Sequence, residues 1–258
     1  MPPRRLNPSG LVLVDKPPGP SSFAVVERLR RRTGARAGHA GTLDPFATGL
    51  LLVLLGASTR LARYLVGLDK RYLAGIDLSA RTATGDVEGD VVEHRDPPAS
   101  AELEGVLDRL RGEIELPVPA ASAVKIDGER AYRLARRGVR VEMPLRRSTV
   151  HALDVVRYAD GIVTLDLLVS SGTYVRAIAD ALGGHCVTLR RTEVGPYSVA
   201  DADETRILPP AEALSFLPVV EVDDAGARAI RQGRERIDER VRVVCGGELV
   251  AVNGTVLP

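Results

Sequence analysis

Residues 50–55, LLLVLL, form an unbroken apolar run that is too short for a helix and reads as a strand covered on both faces. Residues 11–14, LVLV, give a shorter strand ending at Asp15-Lys16-Pro17-Pro18-Gly19, a rigid turn. Ser21 or Ser22 is placed to cap a helix running to about Thr33. Phe23, Val26 and Leu29 recur there at helical spacing, and Gly34 supplies the stop. A second helical pattern covers 58–66 and is closed by Gly67. Residues 71–78 alternate as a strand and run into a Gly- and Asp-rich loop over 82–90. An amphipathic helix begins at Ser100, with Leu103, Val106, Leu107 and Leu110 on one face. Another helix is expected over 128–137, ended by Gly138. Two strands, 149–158 and 162–169, flank Ala159-Asp160-Gly161, a hairpin signal. Gly172 precedes a helix over about 174–182.

These elements are mixed without a regular strand–helix–strand alternation, so the class is α+β rather than a doubly wound sheet. Pro209, Pro210 and Pro218 punctuate the chain near residue 215, and a short strand-rich tail follows. This divides the chain into 1–215 and a small unit over 216–258. No phosphate-binding P-loop, zinc-protease or dinucleotide-binding motif is present.

Composition narrows the picture in a few places. With 45% hydrophobic and 27% charged residues, the chain reads as a globular protein, and its net charge of +1 is no nucleic-acid signature. Any RNA contact must therefore rest on local charge. Cys186 and Cys245 form no C-x-x-C motif and fit a reducing compartment; His185 beside Cys186 reads as packing rather than as a metal site. No apolar run approaches a membrane span, so a cytoplasmic location is expected. Of 35 basic residues only Lys16, Lys70 and Lys125 are lysines, which fits either chance in so small a sample or places that call for a compact ammonium instead of a planar guanidinium.

The segment GHAGTLDPFATGLLL, from Gly38, sets Asp44 before Pro45 in a loop bracketed by glycines, with His39 and Thr42 close by. A turn-initiating Asp-Pro and an acid aimed at a ligand both fit this pattern. Tyr72 follows two cations at a strand start, suiting a half-buried strand aromatic or a stacking platform for a base. Arg176 falls in the first turn of a helix, where a cation gains nothing from the helix dipole. A plain surface arginine is one reading; a nearby acid such as Asp44 is the other, and that pairing would hold the carboxylate ionised and oriented. From Lys125 to Arg147 eight basic residues face three acids. Lys125, Arg133 and Arg137, with Arg136 and Arg140, make either a solvated face or a phosphate-tracking surface, which Arg28, Arg31, Arg32, Arg36, Arg190 and Arg191 would extend.

The successive motifs VDKPPGPSS, GHAGTLDPFATGLL, DKRYLAGIDL, TATGDVEGD, SAVKIDGERAYRLARRG, SSGTYVRAIADALG and LRRTEVGPYS cover about residues 9–200. In this order they resemble the TruB family, the bacterial tRNA pseudouridine-55 synthases. The resemblance implies a pseudouridine-synthase fold with a mixed, largely antiparallel sheet flanked by helices, and a small β-rich, PUA-like C-terminal domain. It implies isomerisation of the T-loop uridine of tRNA, with no metal or cofactor, no membrane and no guide RNA, by a monomer. Asp44 then matches the catalytic aspartate, Tyr72 the tyrosine stacking on uracil, and Arg176 the arginine paired to the aspartate. His39 matches the residue that helps extract the nucleotide. Lys16 and Pro17 match a motif behind the site, and Asp86 an acid in an RNA-facing loop. The insert over about 126–147 separates the stand-alone enzymes from guide-RNA-dependent relatives. Ala120 and Ala121 depart from the family's usual Pro and Tyr. A non-catalytic RNA-binding module and a glycosidase pairing Asp44 with Asp86 or Glu88 are the alternatives.

Overall fold

The computed structural model describes residues 8–256 except 123, 127, 138, 140, 238 and 239. β1 (Gly10–Lys16) leads into α1 (Ser22–Thr33), whose limits are those the sequence predicts. The Ser21 hydroxyl accepts the Ala24 amide, and Gly34, at φ +70°, closes the last turn onto the Arg30 carbonyl. The buried face differs from expectation: Val25, Val26 and Leu29 point inward, whereas Phe23 is 67% exposed. β2 (Ala37–His39) and β3 (Thr48–Leu55) follow. The expected second helix is α-helical only in its second half, α2 (Ala62–Val66). Before it, residues Gly56–Leu61 form a tighter 3₁₀ stretch in which the Thr59 hydroxyl donates to the Gly56 carbonyl.

β4 (Lys70–Asp77) is followed by a two-stranded hairpin, β5 (Ala80–Thr82) and β6 (Val91–His94), that frames the Gly- and Asp-rich loop. α3 (Ser100–Asp108) and β7 (Gly112–Pro117) come next. In the basic insert, β8 (Lys125–Ile126) and β9 (Glu129–Arg130) form a short hairpin before α4 (Ala131–Arg136). The helix expected from residue 128 starts late because Gly128, at φ +86°, sits in the hairpin turn. Gly138, Arg140, Asp127 and the Arg136 side chain lie outside the described residues. β10 (Leu145–Ala159) and β11 (Ile162–Val169) form the expected hairpin, with Asp160 and Gly161 at φ +54° and +75°. Arg146 and Arg147 therefore belong to a sheet strand rather than to the insert. α5 (Val175–Ala181), β12 (His185–Val194), β13 (Tyr197–Ser198) and β14 (Asp203–Leu208) complete the main unit.

The main sheet runs β14-β1-β3-β12-β4-β11-β10-β7, with β2 beside β3 and β13 beside β12. Its neighbours are antiparallel except β3 and β12, which run parallel and set Arg190 and Arg191 beside Thr48 and Gly49. The leucine-rich β3 is buried on both faces, as expected. Leu51, Val53 and Leu55 pack with α1, α3 and α5; Leu50, Leu52 and Leu54 pack with Leu61 and Leu65 on the other side. Cutting one of these leucines to alanine costs about 2–5 kcal/mol, so β3 is a stiff rail for the loop that enters it.

The tail is β-rich, with β15 (Val219–Glu221), α6 (Asp224–Arg231), β16 (Arg242–Cys245), β17 (Glu248–Val252) and β18 (Thr255–Val256). Its four strands form a separate sheet over a small core of Ala227, Ile230, Val243, Val250 and Ala251. The Tyr64 hydroxyl donates to the Val252 carbonyl (3.3 Å) and Arg242 donates to the Ala211 carbonyl (2.9 Å), fastening the tail to the main unit.

Candidate active site

Asp44 lies in the loop over residues 40–47, between β2 and β3, and the backbone of that loop is anchored at both ends. The Ala40 amide donates to the Leu52 carbonyl (2.9 Å), and the Ser22 hydroxyl bonds both the amide and the carbonyl of Leu43 (2.8 and 2.9 Å). Asp44 to Ala47 is a turn with Pro45 at its second position, closed by the Ala47 amide on the Asp44 carbonyl (3.2 Å). The Pro45 carbonyl receives the Gly19 amide and Lys16 Nζ (2.9 and 3.0 Å). Lys16 is wholly buried and spends its other donors on the Pro17 and Pro20 carbonyls. It buttresses the loop from behind and is not available to RNA. Gly49, where the loop has become strand, has φ +100°, and a Cβ there would lie 2.2 Å from the Arg191 carbonyl oxygen. Only glycine fits.

Arg176, in the first turn of α5, meets the acid that its position called for. Its Nε donates to one Asp44 oxygen (3.0 Å) and its Nη2 to the other (3.2 Å), a bidentate grip. Nη1 donates to the Thr84 carbonyl (2.7 Å) and lies 3.3 Å from Asp86 Oδ2; Nη2 also reaches the Ala121 carbonyl (3.0 Å). The Ala121 contact is through backbone, so the departure from the family's Pro-Tyr leaves it intact. The Arg176 side chain is 4% exposed and that of Asp44 33%, so the carboxylate is held from inside and open on one side. Burial pushes the Asp44 carboxyl above its usual value. The Arg176 charge pulls the other way, and Asp86 adds to the rise. Arg176 thus supplies the charge that favours the ionised form, against a desolvation cost that is larger.

Asp86 is also corrected. It is 3% exposed, accepts the Thr84 hydroxyl (2.6 Å) and the Glu88 amide (3.0 Å), and faces Arg176 rather than solvent. Its loop is built around a buried acid, so it cannot serve as an RNA-facing group. Enclosed and ion-paired to Arg176, Asp86 is not open to a leaving group, and the exposed Glu88 does not line the cleft that Asp44 faces, so neither supplies the second acid of the paired-carboxylate reading there.

The open side of Asp44 faces a cleft of about 520 Å³, within the usual range for a small-molecule site. Tyr72 on β4 lines it together with Thr42, Tyr174, Arg176 and Leu189. Two further cations line this cleft, and neither was assigned to it from sequence. Lys70 is 5% exposed and donates to the Val66 carbonyl (2.7 Å), the Leu68 carbonyl and the Ser171 hydroxyl (3.1 Å). Burial, helped by Arg191, lowers its pKa to about 8. Arg191 is 1% exposed and donates to the carbonyls of Leu50 (2.7 Å), Gly41 (3.1 Å) and Thr42 (3.5 Å). It is thus a clamp on the Asp44 loop rather than a surface contact. Adjacent residues of a strand point to opposite faces, so of the pair Arg190 and Arg191 one had to turn inward. Arg190 pairs with Asp15 instead (2.8 and 3.0 Å).

His39 ends β2 and is not among the residues lining the cleft; its Nδ1 is buried without a hydrogen-bond partner among the described residues, and burial followed by Arg191 lowers its pKa. Lys125, Arg133 and Arg137 are exposed on the insert, with Arg137 donating to Glu129 (2.7 Å). His185 Nδ1 meets the Ala80 carbonyl (2.8 Å), and burial pushes the Cys186 thiol up to about 12. Among the described residues no group of three or more potential metal ligands forms, and no helix is long and apolar enough to cross a membrane.

Comparison with known proteins adds a family. Residues 29–175 match the model for "TruB family pseudouridylate synthase (N terminal domain)". tRNA pseudouridine synthase B of Leifsonia xyli subsp. xyli (strain CTCB07) is 47% identical over 223 residues, 80% of this chain and 74% of that protein. The protein of the same description from Arthrobacter sp. (strain FB24) is 42% identical over 258 residues, covering 94% and 82%. Among solved structures, the one titled "Crystal Structure of a Cbf5-Nop10-Gar1 Complex" superposes with a TM-score of 0.69 at 26% identity, over 94% of this chain and 77% of that one.

Proposed function

The chain belongs to the TruB family of pseudouridylate synthases, and from that premise we propose that it isomerises uridine 55, in the T-loop of tRNA, to pseudouridine with Asp44 as the essential catalytic group. It is a tRNA pseudouridine synthase, an isomerase. The finer assignment is carried by one observation: a carboxylate gripped at both oxygens by a buried arginine, open on its third side to a cleft lined by a tyrosine. Pseudouridine formation breaks the bond between ribose C1′ and uracil N1 and makes one between C1′ and C5. The base must leave the folded loop, so the cleft needs a stacking surface and an aimed, ionised acid. Tyr72 supplies the first and Asp44 the second. Attack on C1′, attack on C6 and removal of a ribose proton all need the carboxylate deprotonated. Arg176 favours that state by charge and fixes the direction of attack.

His39 acts in drawing out the nucleotide, and Lys125, Arg133 and Arg137 hold the phosphates of the T-arm. The enzyme works without a guide RNA, a reading supported by the insert and by the higher identity to the curated tRNA synthases than to the Cbf5 complex. The separate core of the tail supports a division near residue 215 into a catalytic unit and a small C-terminal one. Purified protein with a bare tRNA transcript carrying tritium at uracil C5 tests this. Tritium release by wild type, lost in Asp44→Asn while tRNA binding persists, is expected. Binding by wild type without release would leave only an RNA-binding module.

A further inference from the structure

Phe23 is exposed to 67%, and among the described aromatic side chains it is the only one so open to solvent. Its position is well fixed. It follows Ser22, whose hydroxyl is bonded to both backbone groups of Leu43, the neighbour of Asp44. Ser21, two residues earlier, lines the cleft. The ring therefore stands near the rim of the cleft, at the first turn of α1. Glu27, Arg30 and Arg31 lie four, seven and eight positions on and share its outward stripe. Between residues 22 and 36 the chain carries Arg28, Arg30, Arg31, Arg32 and Arg36 against Glu27 alone, and the first turn holds no acid. Glu204 takes both Arg28 and Arg32, and Glu27 takes Arg30, which leaves the surface positive.

A bare ring within a positive surface has the chemistry of a single-stranded nucleic-acid contact: the ring stacks on a base and the cations meet the phosphates. An apolar protein partner would bury the ring but carry Arg31, on the same stripe, into a dehydrated interface, where the acids on this surface are already taken by Arg28, Arg30 and Arg32. Resting on the RNA-modifying reading, we propose that Phe23 is a stacking platform for a base flanking the target uridine, one unstacked when that uridine enters the cleft.

The chain has no tryptophan and six tyrosines, so Phe23→Trp places a single indole at this point, excited selectively at wavelengths where tyrosine does not absorb. T-arm RNA is expected to quench it saturably. Phe23→Leu, which keeps apolar bulk but no ring, should raise KM for tRNA about fivefold or more, the lower end of what one base–aromatic stack contributes, with kcat little changed. Phe23→Tyr should restore the wild-type KM. An unquenched tryptophan, or a wild-type KM in Phe23→Leu, overturns the proposal. A changed oligomeric state in Phe23→Ala at unchanged KM also overturns it and assigns the ring to a protein contact. Tritium release by wild type is measured in parallel. Its absence would sink the RNA-modifying reading itself, whereas release without any Phe23 effect sinks only the platform.

Discussion

The interior cations Lys16, Lys70, Arg176 and Arg191 and the basic insert over 125–147 are built from the same residue types, yet the structure uses them in opposite ways. Each interior cation is at most 5% exposed and has its donors fixed on named carbonyl, carboxylate or hydroxyl oxygens, which for Lys16, Arg176 and Arg191 include groups of the Asp44 loop. The insert residues Lys125, Arg130, Arg133 and Arg137 are exposed, the first three on elements of two to six residues and Arg137 in the turn after α4. Buried charges cost several kcal/mol unless their partners are in place, so they specify one arrangement. Exposed ones contribute about 0–1 kcal/mol to folding and are adaptable enough to follow a phosphate backbone. The difference separates aiming from gripping.

Three experiments sharpen that contrast. Arg176→Lys should be the most damaging: an ammonium keeps the charge but cannot hold both Asp44 oxygens while reaching Thr84 and Ala121. We expect kcat to fall about a hundredfold or more, the scale of losing one preorganised electrostatic contact, with tRNA affinity nearly unchanged. A loss of affinity with kcat preserved would reverse the roles assigned to interior and insert. Replacing Arg133 and Arg137 together by alanine should do the opposite. Binding weakens, the log–log salt slope drops by about 1–2, and the single-turnover rate at saturating tRNA stays near wild type. An unaltered slope would return the insert to a solvated face. The smallest effect concerns pH. Lys70 titrates near about 8 in the folded protein and near about 10.4 when unfolded. Between those values the unfolded chain holds the extra proton, so stability from this group rises with pH. Comparing urea midpoints of wild type and Lys70→Met at pH 7 and 10 isolates it: the gain on raising pH should shrink in the variant. An equal gain in both would place the titration elsewhere.

Local signals in the sequence were strong where they depend on neighbours along the chain. The α1 limits follow from Ser21 and Gly34, the Asp160–Gly161 hairpin from its turn residues, and the two-sided burial of β3 from its leucine run. Arg176 needed an acid because of its place at a helix start, and Asp44 is that acid. What failed needed the third dimension. Asp86 and Arg191 look like surface charges in a list of residues, and only the crossing of β3, β4, β12 and the 83–90 loop encloses them. Phe23 sits at helical spacing with Val26, yet the helix turns its Val25–Leu29 side inward. The lysine pattern pointed to two of the enclosed cations, although the third lysine, Lys125, is exposed. Lys16 and Lys70, two of only three lysines, are buried ammonium groups whose donors fan out to carbonyl and hydroxyl oxygens.

The bond between Arg176 and Asp44 closes a separation of 132 positions along the chain. Such a distant contact is costly to close in chain entropy and forms only once the intervening strands have paired. During synthesis the Asp44 loop leaves the ribosome well before its arginine has been translated. Until α5 docks, the acid has no fixed direction. Completion of the Arg176–Asp44 pair is therefore also a checkpoint on the fold: a chain arrested before α5 lacks the two-point grip that orients the acid proposed for catalysis.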